Sequence, residues 1–345
     1  MAGCDYANAR VAAMRGRLLG ATGIVDLLAR PGLTAKLDFL RQTDYGDAVA
    51  AHLGRGLDPL RGAERGLRAR LMEDLIRVHR FLDGEPVQCL FQAILALEDG
   101  WNLKTILRGV ARGELAERLF LLLVPTPHLD DPALEELVRQ KDAKAIVDLL
   151  ATWRSPYAVP LAEALPAYRR RRDLVLLEVA LDRFLFARAL EAARRDGEDG
   201  RILQRFLETQ IDLTNAGTLL KLAGEAGGHE FFIPGGRTIS TKRFRRLSAL
   251  AAPELGEALA GEGRLQLAAG LVTMGAGRDP FTTDQLLHRM LRETIRREAR
   301  THPLSLAVPL AFILERQAEV RRIRLVLRAT EFSLPADELL DLIER

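Results

Sequence analysis

The sequence predicts an all-α protein built as three pseudo-equivalent helical bundles, on two recurrences and one near-absence. The stretch Leu97–Gly109 (LEDGWNLKTILRG) is echoed by Gln210–Lys221 (QIDLTNAGTLLK) and, in a more worn copy, by Ala318–Arg328 (AEVRRIRLVLR). An acid, a polar residue three on and a cation nine on recur as Asp99/Asn102/Arg108, Asp212/Asn215/Lys221 and Glu319/Arg322/Arg328. Asp99 to Asp212 is 113 residues and Asp212 to Glu319 is 107. Solenoid repeats recur every ~20–50 residues, so this longer lag points to repeated domains. The lead-in prolines Pro125, Pro234 and Pro335 follow at nearly the same lag, 109 and 101 residues apart. Strand signals are almost missing: there is no Asn-Gly hairpin and no sustained alternation, and only Phe231–Ile233 looks β-like.

Each repeated stretch reads locally as a helix–turn–helix corner. Asp99 precedes an apolar-periodic run, where its carboxylate is placed to cap the backbone N–H of Asn102. Leu103, Ile106 and Leu107 then fall on one helical face. Arg108 lies in the last turn, favourable against the negative helix end, and Gly109 suits the left-handed position that follows. The second copy keeps this pattern with Asp212, Leu219 and Leu220. Glu319 is a poor cap, so the third corner is expected to straighten into one longer helix.

Taken in order, Tyr6 to Leu19 opens with a helix whose Val11, Met14 and Leu18 form the apolar stripe. Thr22 to Ala29 is a second helix, stopped by Pro31-Gly32. Thr34 to Leu53 follows, broken near Asp44-Tyr45-Gly46, and Gly54–Gly62 with Pro59 is a loop. A long helix from about Glu64 to Leu82 buries Leu67, Leu71, Leu75, Val78 and Leu82. Gly84-Glu85-Pro86 turns the chain, with Pro86 suited to a first helical position, and Val87 to Leu97 leads to the first corner. In the second third, Leu134, Leu137 and Val138 mark one helix and Ala143 to Leu150 another. Trp153 to Tyr157 breaks the chain before a long helix, Asp173 to Arg195, with Leu174, Leu177, Leu181, Phe184 and Leu185 inward. Asp196 to Gly200 closes it, and Ile202 to Gln210 rises to the second corner. In the last third, Lys242 to Leu250 is a short helix and Asp284 to Arg300 a long one, with Leu287, Met290, Leu291 and Ile295 apolar. Pro303 to Leu314 climbs to the last corner, and Phe332-Ser333-Leu334-Pro335 repeats the lead-in.

Composition removes several function classes. A net charge of +3 on 345 residues leaves no nucleic-acid footprint, and no basic–aromatic interleaving supplies one. Cys4 and Cys89 form no metal or redox pattern and read as reduced thiols. No apolar run approaches the ~18 residues of a membrane span, and Asp5 and Asn8 speak against a signal peptide. A soluble, cytoplasmic chain is expected. Asp130-Asp131 with Glu135 hints at a metal-binding acid motif, but no second cluster answers it, and it reads as the polar start of a helix at Pro132. Gly224, Gly227, Gly228, Gly235 and Gly236 around His229 lack the order of a phosphate loop. His52, His79, His128, His229, His288 and His302 show no ligand spacing. No catalytic, cofactor or metal residues are therefore assigned.

Three segments together, YANARVAAMRGRLL at the start, DGWNLKTILRG in the middle and PLSLAVPLAFILERQAEVRRIRLVLRA near the end, resemble the C/d subunit of V-type and A-type rotary ATPases. The resemblance spans essentially the whole chain. It implies three helical domains arranged as a funnel with approximate threefold symmetry, divided here as 1–123, 124–230 and 231–345. It implies a non-catalytic coupling subunit peripherally attached to the membrane through its complex. Its partners would be the central-stalk rotor subunits and the proteolipid ring, with no nucleic acid and no small-molecule substrate. Partner contacts are expected at the polar residues of the corners: Asp99, Asn102, Arg108, Asp212, Asn215, Lys221, Glu319, Arg322 and Arg328. The third copy departs from the pattern, with Arg322 where the others have Asn. Arg289 to Arg328 holds ten arginines against four acids, a surplus that suits acidic partner loops, anionic headgroups or plain solvation. Arg169 to Arg172 read as a solvated helix end. The alternative is a helical-repeat scaffold binding a peptide or helix of a partner, which the long period disfavours. A helical enzyme would need facing core carboxylates, where the long helices show apolar stripes.

Overall fold

The computed structural model describes residues 4–54, 58–83, 87–120, 122–123, 125–194, 197–222, 228–260 and 280–331. Every regular element among them is helical, so the all-α expectation holds. The described helices are α1 (Asp5–Arg15), α2 (Gly20–Ala29), α3 (Gly32–Arg41), α4 (Gly46–His52), α5 (Pro59–Phe81), α6 (Gln88–Ala111), α7 (Ala116–Phe120) and α8 (Asp131–Val138). They continue with α9 (Ala143–Thr152), α10 (Ala158–Arg171), α11 (Val175–Ala193), α12 (Glu198–Lys221), α13 (Thr241–Leu247), α14 (Ala252–Ala260), α15 (Pro280–Thr301) and α16 (Ala307–Glu331). The chain separates into two compact units, Met1–Ile146 with Pro303–Arg345, and Val147–His302.

The first unit is organised on α5 and α16. All five predicted stripe residues, Leu67, Leu71, Leu75 and Val78 of α5 and Leu82 just past its end, are buried. Pro59 is the first residue of α5, with the Asp58 carboxylate accepting from Arg61 N–H, so the expected Gly54–Gly62 loop is shorter than its composition implied. Gly62 and Gly66 then do helical work. A Cβ on Gly66 would stand 2.6 Å from the Ala48 carbonyl oxygen and 2.6 Å from Val49 Cα, so the missing side chains let α4 lie directly on α5. The last helix closes this unit. Asn8 on α1 donates to the carbonyls of Pro303 and Ser305, and Arg15 pairs with Glu315 at 2.6 Å. Helices α2 and α3 pack on α16 as well.

In the second unit α10 pairs with α11, α11 with α12, and α12 with α15. Helix α10 was not among the expected elements, and it contains Pro160 and Pro166. Pro160 sits in the first turn, where its missing N–H breaks nothing, and Pro166 gives up one ladder bond inside the helix. Helix α14 was likewise unforeseen. The β-like Phe231–Ile233 is instead entered from a 3-10 turn, Gly228–Phe231. Gly84-Glu85-Pro86, Gly224, Gly227, and the lead-in Phe332 to Pro335 lie outside the described residues.

The three corners are corrected outright. Asp99 is in the interior of α6, Asp212 in α12 and Glu319 in α16, each helix running unbroken through the repeated stretch. Asp99 is therefore no N-cap. Gly109 takes no left-handed conformation either; Gly113, past the end of α6, does, at φ 70°. Gly109 matters for space, because a Cβ there would collide with Leu119 of α7. Only the third corner was expected to straighten, and all three have.

Candidate functional site

A carboxylate in mid-helix needs partners from another segment, because its own helix already uses every backbone N–H around it. Asp212 finds three. Its Oδ2 accepts from Arg237 N–H at 3.0 Å and Thr238 N–H at 2.8 Å, and its Oδ1 from Ile239 N–H at 2.9 Å. Three residues along α12, one turn on, the Asn215 amide pairs with both sides of one residue's backbone. Its Nδ2 donates to the Ile233 carbonyl at 2.7 Å, and its Oδ1 accepts from Ile233 N–H at 2.9 Å. The acid and the amide thus grip an irregular segment, Ile233 to Ile239, which turns at Pro234-Gly235, and deliver it to α13, which Ser240 caps through Arg243 N–H. Gly236 lies so near the Asp212 carboxylate that a Cβ would overlap it, and Gly235 is at φ 107°. Gly235 and Gly236, two of the five glycines noted around His229, serve this clasp.

Asn215 is fully buried, so losing its amide leaves a peptide unit unpaired in the interior. Asn215→Leu is expected to cost about 2 kcal/mol of unfolding free energy by urea titration. A midpoint unchanged from wild type would show that the grip contributes nothing.

In the first copy, Asp99 and Asn102 are both wholly inaccessible. Asp99 Oδ1 accepts from the Thr126 hydroxyl, whose oxygen accepts in turn from His128 and Leu129 N–H. The target is again the lead-in to the following helix, α8, which Asp130 caps through Ala133 N–H. In the third copy Glu319 accepts from Gly20 N–H at 2.9 Å, the first residue of α2, and from the Tyr45 hydroxyl at 2.7 Å. There the acid holds the beginning of the chain. Burial, with Glu319 beside it, holds the Tyr45 phenol well above its usual titration range, so it stays a donor.

The cation positions differ. Arg108 is exposed in the last turn of α6. Arg328 is half exposed and engages Glu64 of α5, Nη2 to Oε2 at 3.0 Å with Nε on Oε1. Arg322 is half-buried on α16. The side chain of Lys221 lies outside the description. Thus the recurring acids and amides point inward, and Arg108, Arg322 and Arg328 lie nearer solvent.

Sequence reasoning missed a buried ionic cluster next to the third copy. Arg316 on α16 is fully inaccessible. Its Nε lies 2.8 Å from Asp74 Oδ2, its Nη2 2.6 Å from Asp44 Oδ2 and its Nη1 3.6 Å from Glu319 Oε1. Its guanidinium stacks over Tyr45 at 5.0 Å from the ring centre. Arg70 bridges Asp44 at 2.9 Å and Asp74 at 3.0 Å from the other side. One signal was available: Asp74 falls on the α5 stripe between Leu71 and Val78, and Arg316 falls four residues after Phe312 and four before Val320. A charge interrupting an apolar stripe asks for an interior partner.

What this arrangement does chemically is hold helices together. No described helix is long and apolar enough to cross a membrane. The likeness to known proteins runs along the whole architecture. The C subunit of a V-type ATP synthase from Thermus thermophilus is 30% identical over 337 residues, covering 96% of this chain and 95% of that protein. The C subunit of an A-type ATP synthase from Halorubrum lacusprofundi is 28% identical, covering 97% of this chain and 95% of that one. Its V-type counterpart from Deinococcus radiodurans is also 28% identical, covering 97% and 89%. These matches include all three clasp helices, and residues 7–342 fit the description ATP synthase (C/AC39) subunit, so the chain belongs to that family.

Proposed function

We propose that this chain is the non-catalytic coupling subunit of a V/A-type rotary ATPase, joining the central rotor stalk to the proteolipid ring on the cytoplasmic side. In that role it passes torque during ATP-driven or ATP-producing ion transport. The observation that carries the reading is the match at near-full length to proteins named as the C subunits of A-type and V-type ATP synthases. The mechanics agree. A torque-bearing adaptor needs elements that do not slip, and clasped, densely packed long helices meet that need. The three repeats, divided at 1–123, 124–230 and 231–345, are proposed as the three arms of a funnel. Asp99, Asn102, Asp212, Asn215 and Glu319 would then serve partners indirectly, by fixing the clasp helices. Arg108, Lys221, Arg322 and Arg328 are the members proposed to touch a partner.

The test is binding of the purified chain to the stalk subunits and to the ring separately. Attachment to both, with no ATP turnover by the chain alone, is expected, and failure to bind either removes the reading. Arg322 is the cation to reverse, because reversing Arg328 would set a carboxylate against the buried Glu64. Arg322→Glu is expected to weaken one of the two attachments about tenfold or more, as the loss of a close charge pair does, with the helical circular dichroism unchanged. Wild-type affinity for both would retire Arg322 as a contact.

A further inference from the structure

The buried cluster of the first unit holds more negative than positive charge. Asp44, Asp74 and Glu319 meet Arg70 and Arg316, three carboxylates for two guanidiniums. Glu73 and Arg77 also face it from α5, at 3.2 Å from Arg70 and 4.0 Å from Asp74, but both are about half exposed and cancel each other. Tyr45 adds a neutral hydroxyl and Gly20 a backbone N–H, both directed at Glu319. An uncompensated charge in a low-dielectric interior is costly enough that the group neutralises itself instead.

We propose that this cluster retains one proton, on Asp74, and works as a pH-sensitive latch holding α16 against α5 and the α3–α4 turn. The assignment to Asp74 follows from its surroundings. Asp44 borders solvent, and Glu319 already accepts two hydrogen bonds, whereas Asp74 is wholly inaccessible. Burial pushes the Asp74 carboxyl up; Arg316 and Arg70 pull it back, and the neighbouring Asp44 raises it again. The sign follows. A carboxyl raised in the folded state binds its proton more tightly there than in the unfolded chain. Its stabilisation is complete below the ordinary carboxylate range and is lost as pH rises toward the raised folded value. Above that, the proton leaves to solvent and a net negative charge stays buried between the three elements. The latch does not depend on the coupling function and holds for the isolated chain.

Hydrogen exchange of the full chain across pH, corrected for the intrinsic exchange rate, tests this through the backbone amides of α16. In wild type the opening constant around Arg316 is expected to rise by up to about tenfold per pH unit, the limit for one linked proton. In Asp74→Asn, which fixes the neutral form, that slope should fall by one proton. If Asp74→Asn does not fold, Glu319→Gln removes the excess charge from the other side and should flatten the slope likewise. A flat wild-type profile, or a folded variant with the wild-type slope, overturns the proposal.

Discussion

Arg316→Met is expected to lower the melting temperature of the chain by roughly 10 °C, the largest loss from any single substitution away from the apolar core. Met keeps the volume of the side chain inside α16 and removes only the charge. Asp44 and Asp74 then keep Arg70 as their close cation, and Glu319 loses the Arg316 guanidinium, with Asp74 wholly inaccessible and Glu319 buried. Breaking one partner out of a buried ionic set costs about 3–5 kcal/mol, since the remaining charges are left uncompensated. For a cooperative unit of this size each kcal/mol moves the melt by about 2–4 °C. Scanning calorimetry at pH 7.5 measures the loss. A variant melting within 2 °C of wild type at pH 7.5 would mean that the cluster is far better solvated than its burial indicates.

The cluster also marks where sequence reading stops. Long amphipathic helices announce themselves, since the stripe Leu67 to Leu82 is a local property of consecutive residues, and all of it is buried. Breaks such as Asp44-Tyr45-Gly46 are local too, and α3 and α4 part there. Arg70 and Arg77 lie within one turn of Asp74, but the rest of its cluster is not local. Asp44 lies 30 residues upstream and Arg316 lies 242 downstream, and no periodicity within a window of ten or twenty residues joins them. Asp99 and Asp212 fail for the same reason. A lone Asp ahead of an apolar run is, on propensity alone, an N-cap. What cancels that reading is a segment more than twenty residues on, which brings its own donors to the carboxylate and lets the helix continue. The recurrence of the acid was legible; its direction, inward, was not. Helix α10 carries two prolines, Pro160 in its first turn and Pro166 inside it, so composition gives little sign of it.

Asp212→Ala tests the clasp at the point where most bonds converge. Three backbone N–H groups, of Arg237, Thr238 and Ile239, lose their acceptor together. Ile239 is fully buried, whereas Arg237 is exposed and recovers a water, so the penalty is less than three full desolvation costs. At about 1–3 kcal/mol for each buried unsatisfied donor, a net loss of about 3 kcal/mol is expected. The loss falls first on the Ile233–Ile239 segment, where the clasp is the tie between the lead-in and α12. Local opening there should rise by roughly a hundredfold, as each 1.4 kcal/mol is tenfold. Arg237 sits in that segment and is a trypsin site. Native-state trypsin digestion should therefore cut the variant after Arg237 roughly a hundred times faster than wild type, with the helical signal largely kept beforehand. Asp212→Asn, which retains one acceptor oxygen, should fall between the two. Equal cleavage rates for wild type and Asp212→Ala would mean that the segment is held by its apolar contacts through Ile233 and Ile239, and that the recurring acid is no clasp.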